Sequence, residues 1–446
     1  MTDLLKKIAL FDEQIVLIED DVKFSYKQLA LRVESLQKEL LRTIAPHEVV
    51  AILGDYSFEN IALFLALYEN KNIIVPITST IKSVIEINVQ ESFCKYVITM
   101  DDEGMHIEMR ENSATHEMLE LLHVSNSAGL ILFSSGSTGK PKAMIHNLDT
   151  LIDSYADKKA KAMNMLVFLM FDHIGGLNTL FNVLSMGSTL IIPKDRDAKS
   201  ICKLIQDYKI MVLPSSPTFL NLMLISGEYE KFDLKSLRMI TYGTEAMPAS
   251  LLIKLKGIFP RVKFLQTFGT SETGISTTTS QNSQSLYMKI DELSQEYKIV
   301  ENELWLRSRT QILGYLNASM ESFTADGWFK TGDLVESAED GYIKIIGRSK
   351  EVINVGGEKV LPIEVESVVL SMQNIDDCMA YGEPNAITGQ SVVIDVVTND
   401  EMSSRELKKE IRQFCKDKLA NYKIPTKVNI VVKTNFGDRF KKIRVK

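Results

Sequence analysis

Residues 130–144 read LILFSSGSTGKPKAM. The apolar run from Leu130 to Phe133 predicts a buried strand. The nine residues that follow, Ser134 to Lys142, contain two glycines, four hydroxyl groups and two lysines. Glycine lets backbone N–H groups turn inward, hydroxyls add donors and lysines add positive charge, so this loop suits a polyphosphate ligand.

The loop differs from a Walker A phosphate loop. That motif has a glycine five residues before its Gly-Lys pair and a serine or threonine after it. Here Ser134 and Pro141 occupy those positions, and proline prevents direct continuation into a helix interior. An unrelated phosphate-loop NTPase is therefore disfavoured. An ordinary polar surface loop is the other alternative, and the two lysines that flank a proline argue against it.

The bulk composition describes an ordinary soluble protein with more than one domain. At 446 residues the chain is too long for one compact core, and 45% of it is hydrophobic and 24% charged. The net charge of −7 argues against a nucleic-acid-binding protein. The chain has no signal-peptide core and no apolar run of the roughly 18 residues that a membrane span needs, so we expect neither secretion nor insertion. Its four cysteines are far apart and predict reduced thiols in a cytoplasmic protein.

Strands and helices alternate along the first 270 residues and predict a layered α/β domain with a largely parallel sheet. The pattern opens with a hairpin over Val16 to Phe24 and a helix that Ser25 caps. Further on it predicts a helix over 147–162 and a strand over 166–171. Residues 101–125 are charged and weakly periodic, and we interpret them as a linking segment. Several strands end in loops rich in Gly, Thr, Ser and acids, where ligands of open α/β sheets bind.

Beyond residue 300 the pattern changes to antiparallel strands, predicted over 303–309 and 342–346, with WFKTGDL at 328–334 between them. Three motifs then stand in order: SSGSTGKPK at 134–142, TFGTSETG at 267–274, and WFKTGDL followed by GRSKEVINVGGEKV at 347–360. This ordered set closely resembles the adenylate-forming superfamily, which contains acyl- and aryl-CoA synthetases, the adenylation domains of peptide synthetases, and luciferases.

The resemblance implies a two-domain α/β fold. Residues 1–347 would form a large N-terminal domain of layered, largely parallel sheets with helices and a small β-barrel-like part. Residues 348–446 would form a small, mobile α+β lid domain. The boundary falls where the sequence becomes mixed and rich in lysine.

The resemblance also implies a two-step ligase reaction. A carboxylate attacks the α-phosphate of Mg²⁺-bound ATP to give an acyl- or aryl-adenylate, and a thiol then displaces AMP. The implied cofactors are ATP, Mg²⁺ and the thiol of CoA or of phosphopantetheine. The implied partners are a small carboxylic acid, of aryl or short acyl type, and CoA or a separate carrier protein, since no carrier segment follows residue 446. We expect a monomer or homodimer. Amino-acid adenylation for a carrier protein and a degenerate homologue without ligase activity remain alternatives.

Site residues carry over from the family's motifs one by one. The loop from Ser134 to Lys142 would hold the β- and γ-phosphates. Phe268 and the backbone at 243–245 would enclose adenine. Asp333 would accept hydrogen bonds from the ribose hydroxyls. Arg348 would approach the ribose, and Lys350 falls at the hinge. The full nucleotide- and thiol-binding set is Ser134, Ser135, Gly136, Ser137, Thr138, Gly139, Lys140, Lys142, Gly243, Thr244, Glu245, Thr267, Phe268, Gly269, Asp333, Arg348, Lys350, Gly356 and Gly357.

The implied catalytic residues are Lys441, Glu272, Thr270 and His173, with Thr138 and Glu272 on the metal. Ordinary structural roles are the alternatives for several members of the two sets: a core position for Phe268, a turn for Asp333, a hairpin for the paired glycines and packing for His173. The acid before that histidine, Asp172, is found in amino-acid-activating members, whereas the Ile-Gly-Gly that follows resembles acyl- or aryl-CoA ligases.

The chain departs from the family pattern at three places. Ala143 replaces a glycine, and Phe268 replaces a more common tyrosine. The C-terminal Gly-Lys motif is altered, because Gly437 precedes an aspartate. Lys441 fits the spacing to the basic residue three positions on, and Lys442 is the alternative for the lysine that contacts the carboxylate and the α-phosphate.

Overall fold

A computed structural model describes residues 2–111, 115–134, 140–293, 295–437 and 439–444. The chain divides into two compact units. The first consists of Met1–Pro214, Gly269–Ile275 and Arg307–Phe329. The second consists of Ser215–Phe268, Ser276–Leu306 and Lys330–Lys446. Among the described residues no helix has the length and apolar character needed to cross a membrane.

The elements are given in chain order. Up to residue 215 they are α1 (Asp3–Ala9), β1 (Ile15–Glu19), β2 (Val22–Ser25), α2 (Tyr26–Leu40), β3 (Val49–Leu53), α3 (Phe58–Glu69), β4 (Ile73–Ile77), α4 (Lys82–Glu91), β5 (Tyr96–Asp101), β6 (Gly104–Met109), α5 (Glu117–Val124), β7 (Gly129–Ser134), β8 (Lys142–Asn147), α6 (Leu148–Asp153), β9 (Asn164–Leu166), α7 (Ile174–Met186), β10 (Thr189–Ile191), α8 (Ala198–Tyr208) and β11 (Val212–Ser215).

From residue 216 onward they are α9 (Pro217–Ser226), β12 (Met239–Tyr242), α10 (Ala249–Ile258), β13 (Lys263–Gln266), β14 (Phe268–Thr270), β15 (Gly274–Ser276), β16 (Thr278–Ser280), β17 (Met288–Ile290), β18 (Glu296–Val300), β19 (Glu303–Arg307), β20 (Gly314–Tyr315), β21 (Phe329–Ser337), β22 (Ile343–Arg348), β23 (Ile353–Val355), β24 (Glu358–Val360), α11 (Pro362–Val369), β25 (Asp377–Asn385), β26 (Gly389–Val397), α12 (Ser404–Cys415) and β27 (Lys427–Ile430).

The first unit contains a seven-stranded sheet in the order β20-β8-β7-β4-β3-β5-β6. Its central strands β7, β4, β3 and β5 are parallel, and β8 and β6 are antiparallel additions. A second run of strands has the order β2-β1-β10-β9-β11 and is mostly parallel. The predicted hairpin and the Ser25 cap are confirmed: β1 pairs with β2, and Ser25 and Gln28 form a capping box at the start of α2.

Three predictions for the first unit are wrong. The predicted helix over 147–162 is only the short α6, which starts after its N-cap Asn147 and ends at Asp153, because the exposed residues 156–162 offer no buried face for packing. The predicted strand over 166–171 ends at Leu166. The segment 101–125 contains β6 and α5 rather than a linker. The side chains of β6 are largely exposed, and the strand is held by backbone pairing with β5. The sequence therefore shows little apolar periodicity in this segment.

The second unit combines three β structures. Strands β12 and β13 pair in parallel. A six-stranded sheet in the order β16-β17-β22-β21-β19-β18 packs around a small apolar cluster. The C-terminal part is the α+β structure that the sequence predicts: β24-β23-β26-β25, with β27 parallel to β26. Helices α11 and α12 pack on the apolar core of this last sheet.

Candidate active site

The described ends of the phosphate-like loop are held by an antiparallel strand pair. Ser134, the last residue of β7, lies directly opposite Lys142, the first residue of β8. Five predicted loop residues lie outside the described part of the chain: Ser135, Gly136, Ser137, Thr138 and Gly139. Lys140 is exposed. The loop therefore joins two neighbouring antiparallel strands, rather than leading from a strand into a helix as a Walker A loop does.

Lys142 belongs to a cluster in the first unit that also contains Tyr315 and Glu272. The Lys142 ammonium nitrogen lies 4.9 Å from the centroid of the Tyr315 ring. The Tyr315 hydroxyl donates to Glu272 Oε1 at 3.1 Å. Burial, and then the Glu272 carboxylate, raise the pKa of Tyr315, so this hydroxyl stays protonated as a donor. Sequence reasoning did not identify Tyr315, because it lies outside the three motifs.

The turn that carries Glu272 is compact and internally bonded. The Thr270 and Thr273 hydroxyl oxygens are 3.0 Å apart, and the Thr273 N–H donates to Thr270 Oγ1 at 3.1 Å. A Cβ on Gly269 would lie 2.6 Å from the Gly274 carbonyl oxygen, so the two strands approach too closely for a side chain there. Sequence spacing and glycine placement thus fix the position of Glu272.

His173 caps a helix in the first unit. Its Nδ1 accepts from the Gly175 N–H at 3.0 Å at the start of α7. A Cβ on Gly176 would lie 2.3 Å from the Met170 carbonyl oxygen, so close packing requires that glycine. The Thr78 hydroxyl donates to Asp172 Oδ2 at 2.8 Å. These contacts give the motif around His173 a structural role, and the implied catalytic role of His173 stays a prediction.

The second unit places Asp333 and Arg348 side by side. They are opposite residues of β21 and β22, and Arg348 Nε donates to Asp333 Oδ1 at 3.0 Å. Asp333 is only 4% exposed. Its N–H donates to Thr331 Oγ1 at 3.0 Å, and the Gly332 N–H donates to Glu303 Oε1 at 2.8 Å. A carboxylate held in this way is preorganised to accept hydrogen bonds from a ligand.

The strand-end loop at 243–245 is also tightly constrained. A Cβ on Gly243 would lie 2.7 Å from Thr267 Oγ1 and 2.8 Å from the Thr267 carbonyl oxygen. Thr244 has a left-handed backbone, with φ of 71°. The Glu245 carboxylate accepts from the N–H and the hydroxyl of Thr218. Gly243 and Glu245 thus have structural contacts, and the implied adenine contact of this loop stays a prediction.

Phe268 is half-buried, and its ring packs against the apolar cluster of the six-stranded sheet. The ring thus has the core contacts that the structural alternative predicts. Gly356 and Gly357 form the two-residue turn between β23 and β24, with φ of 62° and 92°. Positive φ at both positions explains why glycines stand there. Lys350 is exposed in the connection from β22 to β23.

The two C-terminal lysines have different surroundings. Lys441 is half-buried, and its charge interacts with Arg348, Asp333, Glu351 and Glu245. Burial and then Arg348 lower its pKa, and the carboxylates oppose this shift. Lys442 is 8% exposed, and its Nζ donates to Asp377 Oδ1 at 3.0 Å and to the Cys378 carbonyl oxygen at 2.5 Å. Of the two lysines, Lys441 is therefore the one whose charge interacts with the Asp333–Arg348 pair.

The described residues include no group of three or more His, Cys, Asp and Glu side chains that could hold a metal ion by themselves. Glu272 is a single carboxylate, and its proposed metal partner Thr138 lies outside the described residues. A cation bound mainly by nucleotide phosphates and one carboxylate is compatible with this donor set, because Mg²⁺ usually keeps few protein ligands.

Comparison with known proteins identifies the family. The model of the AMP-binding enzymes matches residues 5–315, and the model of the C-terminal domain of AMP-binding enzymes matches residues 364–435. A 2-succinylbenzoate–CoA ligase from Bacillus licheniformis is 28% identical over 74% of this chain and 71% of its own length. Another, from Listeria monocytogenes, is 25% identical over 96% of this chain and 95% of its own length.

The crystal structure of the anthranilate CoA ligase AuaEII, in complex with anthranoyl-AMP, has a TM-score of 0.82 and 18% identity to this chain, and it covers 99% of this chain and 96% of that one. This likeness confirms the predicted α/β fold class. The chain belongs to the AMP-binding enzymes, as the match over residues 5–315 shows. The predicted adenylate-forming superfamily and class of activity, ATP-dependent activation of a carboxylic acid followed by transfer to a thiol, are confirmed.

Proposed function

We propose that this protein is an AMP-forming ligase that joins a small carboxylic acid, best an aryl acid, to CoA. The observation that carries the proposal is the buried Asp333 carboxylate held by Arg348 in the second unit, a pair whose charges act on the Lys441 ammonium. A cation next to a ribose-binding carboxylate can reach the α-phosphate, where charge changes as the adenylate forms. Two relatives named as 2-succinylbenzoate–CoA ligases support an aryl acid and CoA.

Each residue of the proposed site has a defined task. Asp333 accepts from the ribose hydroxyls, and Arg348 holds that carboxylate in place. Glu272 would hold Mg²⁺, and Tyr315 orients Glu272 through its hydroxyl. Lys142 and Lys140, with the hydroxyls of the loop between Ser134 and Lys140, neutralise the β- and γ-phosphates. Mg²⁺ supplies charge neutralisation on the triphosphate when bound.

In the first half-reaction, a carboxylate oxygen of the acid forms a bond to the α-phosphorus, and the bond from that phosphorus to the bridging oxygen of pyrophosphate breaks. Lys441 stabilises the negative charge on the α-phosphate and the acid. In the second half-reaction, the thiol sulfur bonds to the acyl carbon, AMP leaves with the electron pair, and the thiol proton passes to solvent. We assign residues 348–446 to the mobile lid domain, with Lys350 at its hinge.

The test is ATP–pyrophosphate exchange with a panel of benzoates, hydroxycinnamates, fatty acids and amino acids. We expect exchange with at least one aryl acid, and CoA thioester formation when CoA is added. Exchange with amino acids alone would favour the competing role in loading a carrier protein, for which Asp172 would have to bind an amino group. ATP hydrolysis without exchange for any acid would contradict both.

A further inference from the structure

Near the end of the described chain, residues 435–437 pair with residues 441–443 in antiparallel fashion. Phe436 and Lys442 form a bridge, and the Ile443 N–H donates to the Asn435 carbonyl oxygen at 2.9 Å. The Gly437 N–H donates to the Lys441 carbonyl oxygen at 3.1 Å. Lys441 therefore stands at the start of the second paired segment, where a shift of one residue would exchange it with Lys442.

Lys442 is fixed by a buried polar pocket of the second unit. Its ammonium bonds to Asp377 Oδ1 and the Cys378 carbonyl oxygen, and its own N–H donates to Glu245 Oε2 at 3.2 Å. Asp377 is 4% exposed and also accepts from Asn221 at 3.2 Å and from the Thr434 hydroxyl. All acceptors of this pocket are thus provided by parts of the chain outside the paired residues.

A second buried cation anchors the same segment two residues further on. Arg444 Nη2 lies 2.9 Å from Glu366 Oε2, and its Nη1 lies 3.2 Å from Glu351 Oε2. Neighbouring side chains of an extended segment point to opposite sides. Because the side chains of residues 442 and 444 are buried on one side, the side chain of residue 441 points to the opposite side. A buried ion pair contributes little net stability, but it can select one register among several.

We propose that Lys442 and Asp377 are positioning residues: their buried ion pair fixes the register of segment 435–444 and thereby places Lys441 beside Asp333 and Arg348. The inference rests on the proposed role of Lys441 in adenylate formation. Two adjacent lysines are chemically equivalent to a ligand phosphate, and the Asp377 pocket decides which of them remains available. The pair acts in the first half-reaction and takes no part in the attack of the thiol.

The test compares Lys442→Met, Asp377→Asn and the double variant with Lys427→Met, which breaks only an exposed ion pair to Glu383 in the same C-terminal structure. We expect Lys442→Met to lower ATP–pyrophosphate exchange roughly tenfold to a hundredfold, the size of the effect of a misplaced group. Thiolysis of added acyl-adenylate should stay close to that of the unchanged protein. Lys427→Met should leave both rates unchanged.

The double variant separates positioning from folding. Removing both charges leaves no unpaired buried ion, so its melting temperature should exceed that of Lys442→Met. Its exchange rate should nevertheless remain low, since nothing fixes the register. Recovery of exchange together with stability, or equal loss in both half-reactions, would overturn the proposal. A normal exchange rate in Lys442→Met with loss in Lys441→Met would overturn it while leaving the proposed function intact.

Chemical acetylation followed by mass spectrometry tests the inference independently of any substrate. In the unchanged protein Lys441 should react much faster than Lys442, whose ammonium is buried and paired. In Asp377→Asn this contrast should disappear, because the pocket no longer selects one lysine. Persistence of the contrast in Asp377→Asn would overturn the proposal, even if the protein exchanged with no acid in the panel.

Discussion

At the scale of single residues, the surroundings give identical side chains different chemistry. Burial lowers the pKa of Lys441, with Arg348 adding to the effect. Burial acts on Lys442 in the same direction, but Asp377 and Glu366 outweigh it and raise the pKa of Lys442. A lysine with a lowered pKa is suited to a ligand anion, whereas Lys442, which is paired with the buried Asp377, is an integral part of the fold.

Replacing Lys441 with methionine should therefore lower adenylate formation by about a hundredfold or more, the usual loss for one key electrostatic donor. Thiolysis of added acyl-adenylate should be spared, because the lysine acts on the α-phosphate during its attack by the acid. The measurement is ATP–pyrophosphate exchange next to thioester formation from synthetic adenylate. Equal losses in both steps would contradict the assigned role.

His146 provides a residue-scale prediction about stability. Burial lowers its pKa from 6.5 to about 4, although the nearby backbone of Thr310 and Ser271 opposes the shift. The unfolded chain therefore binds a proton more readily than the folded one. This contribution to stability is complete above pH 6.5 and is lost as the pH falls towards 4.

Between pH 7 and pH 5 the free energy of unfolding should fall by about 2 kcal/mol through this residue. Urea unfolding at the two pH values, compared between the unchanged protein and His146→Gln, isolates the effect, because other groups titrate alike in both. The exposed His106 gives a matched control, since His106→Gln should keep the full acid sensitivity. The same pH dependence in the unchanged protein and His146→Gln would refute the prediction.

At the scale of secondary-structure elements, both local sequence signals and the strands available for pairing determine where helices and strands form. The capping box at Ser25, and a second one at Ser403 and Glu406, mark helix starts that the sequence alone can show. The linker expected over 101–125 contains β6, a largely exposed strand that is held by backbone pairing with β5. Short strands next to a strong central strand gain hydrogen bonds that no local propensity reveals.

Replacement of Gly243 tests how closely the ends of β12 and β13 must approach each other. Gly243→Ala should cost about 1–3 kcal/mol and weaken ATP binding, because its Cβ would meet Thr267 at under 3 Å and push the ends of β12 and β13 apart. Thermal unfolding and the KM for ATP are the measurements. Gly257, in α10, has no atom within 4 Å of the corresponding Cβ position. Gly257→Ala should stabilise the protein slightly, by up to about 1 kcal/mol, and a loss equal to that of Gly243→Ala would rule out the steric reason.

At the scale of the whole molecule, each compact unit contains its own group of proposed functional residues. The first unit contains Lys142, Tyr315 and Glu272, and the second contains Asp333, Arg348 and Lys441. The family boundary expected at residue 348 stays a prediction, although the C-terminal family model matches 364–435.

Variants in the two units should fail in different ways. Glu272→Gln should raise the Mg²⁺ concentration needed for half-maximal exchange, because it removes a metal ligand. Asp333→Asn should raise the KM for ATP at saturating Mg²⁺, because it weakens the hydrogen bonds that residue 333 accepts from the ribose hydroxyls. Titrations of Mg²⁺ at fixed ATP, and of ATP at fixed Mg²⁺, distinguish the two effects. Identical changes in both titrations would count against separate metal and ribose roles.

The sequence alone was sufficient for the α/β class, the order of the three motifs, the family and the activity class, because glycines, hydroxyls and charges at fixed spacing report local chemistry directly. It also limits the candidates for the C-terminal lysine to two neighbouring positions. Only the folded structure shows that the charge of Lys441 interacts with Asp333, that Tyr315 donates to Glu272 and that Asp377 binds Lys442. Those interactions depend on residues that are distant in the chain, and the pairing energy of such residues appears only when folding brings them into one low-dielectric environment.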